Sequence, residues 1–277
     1  MEEHQNPVSV LGKSIIVTGG TGLIGREIVT CFLEQGANVV VGDVNSAALG
    51  SFGQELLKKF PRSQFEMVYC DITNEAETEE IVQIAVRKFE KLDVLVNNAA
   101  IDAKFDKTGT AAVDASRFEN YPIDLLRSSI EVNLTGTVIM TQAACRQMLK
   151  QGHGNIINVA STYSVVAPNQ SLYDFQDGEA IKYKPVDYIA SKSFVPNFTR
   201  YIATFYAKEN IRCNAIVPHA IFNNHEEKFT RNFAKLSPLG RMSDRSELRG
   251  PFLLLASDSS SYMTGSVLTV DGGWTAW

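Results

Sequence analysis

The chain has 277 residues, of which 44% are hydrophobic and 21% charged, with a formal net charge of −5. That profile gives one large core ample apolar material and excludes a disordered or fibrous chain. The acidic balance argues against nucleic acid or an anionic membrane surface as partner. No apolar run reaches the roughly 18 residues that would span a bilayer. The polar start, Met1 to Asn6, does not read as a secretory signal.

Taken in chain order, short β-branched runs alternate with longer segments of helical period. Residues 14–18 (SIIVT) read as a first buried strand, followed by Ile24, Ile28 and Phe32 at helical spacing. Residues 38–42 and 65–69 give a second and third strand, and Ile81, Ala85 and Phe89 mark an amphipathic helix before a strand at 94–96. A helix is predicted through 121–150, a strand at 155–159, a helix over roughly 186–209, a strand at 213–217 and a last one at 266–270. Strands apolar on both faces, each followed by a helix, predict a doubly wound α/β fold, a Rossmann-type parallel sheet with helices on both sides. No linker, repeat or low-complexity stretch interrupts the pattern, so residues 1–277 are expected to form a single domain.

The first functional signal is a glycine turn. Gly19, Gly20, Gly22 and Gly25, with Thr21, Leu23 and Ile24 between them, lie where the first strand meets the first helix. Glycines there let the backbone approach a pyrophosphate, whose charge the helix N-terminal amides stabilise. A tight turn kept for packing alone is the alternative. Asp43 ends the second strand, 24 residues after Gly19. A carboxylate there accepts hydrogen bonds from the adenosine ribose hydroxyls and repels a 2′-phosphate, while Val44 and Asn45 offer no compensating cation. NAD is therefore expected over NADP.

Further on come Asn97-Asn98-Ala99-Ala100 after the fourth strand, Asn133 in a helix, Ser161 after the fifth strand, and Tyr188-Ile189-Ala190-Ser191-Lys192. In that order and placement they resemble the short-chain dehydrogenase/reductase family, in its compact single-domain form, from about Leu11 to Trp274. The resemblance implies that Asp71 and Ile72 flank the adenine and that Asn97, Asn98 and Ala99 line the cofactor cleft. It implies Pro218 and Ile221 beside the nicotinamide, Asn133 as a proton-relay residue holding a water, and Ser161, Tyr188 and Lys192 as the catalytic set. It also implies a homodimer or homotetramer.

The chemistry follows from the residues as well. Tyr188 and Lys192 stand one helical turn apart and share a face. A nearby ammonium and a cationic nicotinamide both favour phenolate, and a lowered pKa is what a base for alcohol oxidation needs. Ser161 is placed to hold the substrate oxygen, and Lys192 to bind the nicotinamide ribose. Tyr163, Tyr173 and Tyr183 lack a lysine four residues on. Cys31, Cys70, Cys145 and Cys213 sit singly, without CxxC spacing, as expected for buried thiols in the cytoplasm. None of the four histidines forms a helical HxxxH pair, so no metal is expected.

Several positions depart from the family pattern. Leu23 stands where the compact branch usually has glycine, and His219 where glycine usually follows the proline. His219 either touches substrate or packs. Pro196, one turn after Lys192, predicts a kink. Ser161 and Tyr188 are 27 residues apart, about twice the family's usual separation. The excess near 170–185 is polar (Tyr173, Asp174, Gln176, Asp177, Glu179, Lys182, Lys184) and forms either a solvated loop or a substrate wall. Residues 219–236, expected as a substrate loop, and 102–107 are also largely polar. Together they suggest a sugar or nucleotide-sugar substrate, interconverted between secondary alcohol and ketone, and the inserted segment resembles that of bacterial enzymes making unusual sugars for surface glycans. The alternatives are a reductase of an apolar or acyl ketone, such as a 3-oxoacyl thioester, and a non-catalytic NAD-sensing regulator.

Overall fold

Seven parallel strands form one sheet: β1 (Ser14–Thr18), β2 (Asn38–Asp43), β3 (Phe65–Tyr69), β4 (Val94–Asn97), β5 (Gly154–Val159), β6 (Ile211–Pro218) and β7 (Val267–Val270). The computed structural model describes residues 8–102, 116–173 and 183–277. The strand order is β3-β2-β1-β4-β5-β6-β7. It reverses between β1 and β4, the point at which open α/β sheets leave a crevice beyond the strand ends. Ile15 pairs with Val39 on one side and Val94 on the other, so β1 is an interior strand beside the central β4.

Alternation along the strands divides the core between two faces. Ile15, Val17, Val39 and Val41 pack on α1 (Leu23–Glu34), α2 (Ser46–Leu57) and α9 (Arg249–Ala256). Ile16, Val40, Leu95 and Ile156 face the other way, onto α3 (Glu75–Phe89), α5 (Thr137–Gln151) and α7 (Val195–Tyr206). Because both faces are buried, β1 and β4 expose no residue at all; Ile15-Ile16-Val17 and Val94-Leu95-Val96 are apolar, and only the strand ends, Ser14, Thr18 and Asn97, are polar. The fold is thus the single-domain, doubly wound sheet that the alternation predicts. All four cysteines are buried and free. Burial raises the Cys31 thiol to about 11 and those of Cys70 and Cys145 to about 12, far from the thiolate that reactivity needs.

Two long helices differ from expectation. The segment predicted as one helix over 121–150 is α4 (Ile123–Ile130), a π-helical turn over Glu131–Gly136, and then α5. The segment predicted over 186–209 breaks at Phe194 between α6 (Val186–Ser193) and α7, with Pro196 in the first turn of α7 and a 3-10 turn at Ala207–Glu209. Proline lacks the N–H that would have continued α6, so the predicted kink is present. Among the described residues, no helix is long and apolar enough to cross a membrane.

Candidate active site

The glycine turn is shaped by what lies across it. Gly19 has φ +60°, and a Cβ there would stand 2.7 Å from the Ala99 Cα, so a side chain is excluded on conformation and on space. Asn98 Nδ2 donates to the carbonyls of Thr18 and Gly19 at 3.0 and 2.9 Å, tying the loop after β4 to the turn. Gly22 caps α1 without a side-chain hydrogen bond. Its successors Leu23 and Ile24 line a cleft of about 900 Å³, so the first-turn amides are available to an anion there. Leu23 thus occupies the cleft wall in place of the usual glycine.

At one end of this cleft stand Asp43, Asp71 and Ile72. Ile72 lies so close under the π turn that a Cβ on Gly136 would meet its Cγ1 at 2.7 Å. Asn98 and Ala99 line the middle of the cleft, but Asn97 does not. The Asn97 side chain is buried and donates to Thr141 Oγ1 and Asn158 Oδ1, joining β4 to β5 and α5. It points to the far side of the sheet because neighbouring residues in a strand alternate faces.

Ser161, Tyr188, Lys192, Pro218 and Ile221 meet at the other end of the cleft. Burial pushes the Tyr188 phenol up to about 12, and a hydrogen bond between the Ser161 and Tyr188 hydroxyls opposes it. Burial pushes Lys192 down to about 8. Within the protein alone, therefore, desolvation outweighs the expected attraction between ammonium and phenolate. Lys192 Nζ donates to the Val159 carbonyl at 2.8 Å, leaving two further N–H groups. Asn133, in the π turn, accepts from the Ile101 amide at 2.8 Å and donates to the Ile101 carbonyl and Ser191 Oγ at 2.9 Å each. Its side chain is committed to holding the β4 loop against α6.

The family model described as Enoyl-(Acyl carrier protein) reductase matches residues 22–275. The chain belongs to the short-chain dehydrogenase/reductase family. It is 32% identical to 3beta-hydroxysteroid dehydrogenase 2 of Eggerthella lenta, over 100% of this chain and 99% of that one. It is 33% identical to 2-dehydro-3-deoxy-D-gluconate 5-dehydrogenase of Bacillus subtilis, over 96% of both. The crystal structure of a short chain dehydrogenase from Leptospira borgpetersenii with bound NAD+ superposes with a TM-score of 0.82, 29% identity and coverage of 99% and 97%. This dehydrogenase/reductase is an oxidoreductase of CH–OH groups, interconverting a secondary alcohol and a ketone with a nicotinamide dinucleotide.

The wall around the reacting end of the dehydrogenase mixes aromatic rings with polar tips. The helix α8 (Glu227–Leu236) turns Phe229 and Phe233 inward against Leu172 and Met242, while Glu227, Lys228 and Arg231 stay outside. A segment polar by composition thus presents an apolar face, and the recurrence of aromatic rings at His225, Phe229 and Phe233, each four residues on, is the signal that carries it. His219 lies among the rings of Tyr163, Phe233 and Trp274, with centroids 4.6 to 5.8 Å away. It therefore packs and also lines the cleft. Burial pushes its pKa down to about 4, against a smaller upward pull from Asp271, and its Nε2 has no hydrogen-bond partner among the described residues. Tyr173 closes this wall, its hydroxyl 3.2 Å from that of Tyr163. Asp174 to Lys182, and Ala103 to Lys107 of the other polar loop, lie outside the described residues.

Proposed function

We propose that the protein is an NAD(H)-dependent dehydrogenase of a polyhydroxylated, sugar-like substrate. The observation that carries this reading is one continuous cleft, with the Asp43 carboxylate at the adenosine end and the Ser161–Tyr188–Lys192 group at the other. The first-turn amides of α1 suit a pyrophosphate, and Asp43 suits an unphosphorylated ribose. When bound, the dinucleotide supplies the hydride acceptor or donor.

In oxidation, Tyr188 Oη accepts the proton of the substrate hydroxyl, and in reduction it returns it. Ser161 holds the reacting oxygen beside the phenol, while the free N–H groups of Lys192 bind ribose hydroxyls and add positive charge next to the phenolate. Both Nδ2 protons of Asn133 are taken by Ile101 and Ser191, while Oδ1 accepts only from the Ile101 amide and keeps a lone pair for a relay water.

Aromatic faces at Tyr173, Phe229 and Phe233 suit the C–H faces of a ring, and the hydroxyls of Tyr163 and Tyr173 with His219 suit its oxygens. The gluconate-type relative supports the same substrate class. Leu172, Tyr173 and Lys184 place both described ends of the 170–185 segment on the cleft, as a substrate wall requires. Exposed Tyr201 and Phe205 on α7 suit a homo-oligomer. A panel of sugars, sugar acids, polyols, hydroxysteroids and 3-oxoacyl thioesters, scanned for NADH and NADPH change, tests the reading. Turnover of a polyol or sugar acid with NAD is expected; preference for a steroid or thioester overturns the substrate class.

A further inference from the structure

Lys184 lies directly over the ring of Tyr188, its Nζ 4.1 Å from the ring centroid. The lysine side chain is only 13% exposed, and both oxygens of Asp102 hold it, at 2.9 and 2.7 Å. Asp102 follows β4 and Lys184 precedes α6, so the pair joins two segments far apart in sequence. The same junction is tied a second time, where the Tyr183 amide donates to Ser116 Oγ at 3.2 Å. A third tie comes from Gln170, whose Oε1 accepts from the Lys184 amide at 2.9 Å. The ammonium is thus fixed over the ring by its own salt bridge and by the backbone on either side of it.

We propose that Lys184, held by Asp102, is a positioning residue for the reaction: it seats the Tyr188 ring and supplies, beside Lys192, a second cation against which phenolate forms. The inference rests on Tyr188 being the acid/base. A cation over an aromatic face is attracted to the neutral ring and far more strongly to the anion. Asp102 acts in the opposite sense. Its carboxylate raises Tyr188, after burial, and also raises Lys192. The other titratable groups facing Tyr188 are Tyr163 and Tyr173, both held neutral by burial, and Lys192 on its own helix. Asp187, on that helix too, turns away and accepts from Ser129 Oγ. The two members of the pair therefore push the phenol in opposite directions, and Lys192 is the other cation beside it among the described residues.

The test is a pH titration of Tyr188 by NMR of Cζ-labelled tyrosine in the NAD+-saturated protein, with the resonance assigned from Tyr188→Phe. Removing the cation in Lys184→Met, or in Lys184→Gln should the first not fold, is expected to move the phenol titration up by about one pH unit. Asp102→Asn is expected to move it down by a similar amount, Lys184→Arg to restore the wild-type value, and the double variant Asp102→Asn/Lys184→Met to return near it. A merely structural contact predicts shifts of one sign, or none, in both single variants, and either result overturns the proposal. The titration needs no substrate, so it stands apart from the sugar reading. Whether Tyr188 is the acid/base is judged separately, by the turnover of Tyr188→Phe.

Discussion

The carboxylate of Asp43 reaches back across the mouth of the cleft to Thr21, accepting from its amide at 3.0 Å and from its hydroxyl at 2.6 Å. The end of β2 is thereby fixed beside the glycine turn, with a negative charge at the position proposed to meet the adenosine ribose. Wild type is expected to prefer NAD over NADP by at least tenfold, about 1.4 kcal/mol. Asp43→Ser removes both the acceptor and the repulsion and narrows that ratio. Competitive binding of the two dinucleotides checks it; equal affinity in the wild type refutes the assignment.

Tyr188→Phe keeps the ring and its packing but loses the proton carrier. Its kcat is expected to fall by about 10²-fold or more, with NADH affinity within a few-fold of wild type. Single-turnover kinetics beside NADH titration separate the two effects. Turnover close to wild type would remove Tyr188 from its role.

Gly19→Ala places a methyl in the left-handed region and into the Ala99 backbone. A loss of about 1–3 kcal/mol in stability is expected. NAD affinity falls as well, because the turn must open where the pyrophosphate binds. Thermal unfolding with and without NAD measures both. A variant as stable as wild type would show that the turn has another conformation available.

His219 is held neutral, with its pKa pushed down to about 4 from an ordinary 6.5. The unfolded chain therefore binds the extra proton between those values. The histidine's contribution to stability is complete above about pH 6.5 and drains away as the pH falls toward 4, by about 3 kcal/mol in all. His219→Phe keeps a ring among Tyr163, Phe233 and Trp274 while removing the titration. Unfolding by urea across this range should show the wild type losing more stability than the variant; parallel loss contradicts a buried neutral imidazole.

The strands were legible because a sheet buried on both faces favours β-branched and apolar residues along most of each strand, and their limits shift by no more than two residues from expectation. The candidates for the cleft lining were legible where local spacing carries the information: Gly19 and Asp43 sit at strand ends, and Tyr188 and Lys192 stand one helical turn apart. The substrate end was not. Lys184 and Asp102 are brought together only by the crossing of two distant segments, which no local pattern encodes. The apolar face of α8 was hidden by counting its residues rather than phasing them. The family resemblance implies Asn97 in the cleft, whereas its side chain turns from the cleft to Thr141 and Asn158.

The π turn at Glu131–Gly136 gives one continuous helical path two different phases. Before it, Ser129 of α4 meets Asp187 of α6; after it, Met140, Ala143 and Ala144 of α5 face the sheet. Within it, Asn133 braces the Ile101 loop and Gly136 passes over Ile72. Each residue of an α-helix turns the chain by about 100°. Deleting any one residue between 131 and 136 would relax the turn into regular helix and rotate one flank by that angle against the other. Either Asn133 would leave Ser191 or the α5 methionine would leave the sheet. The spacing along this stretch is therefore under a constraint of length rather than of identity: substitutions can be absorbed at several of its positions, but insertions and deletions cannot.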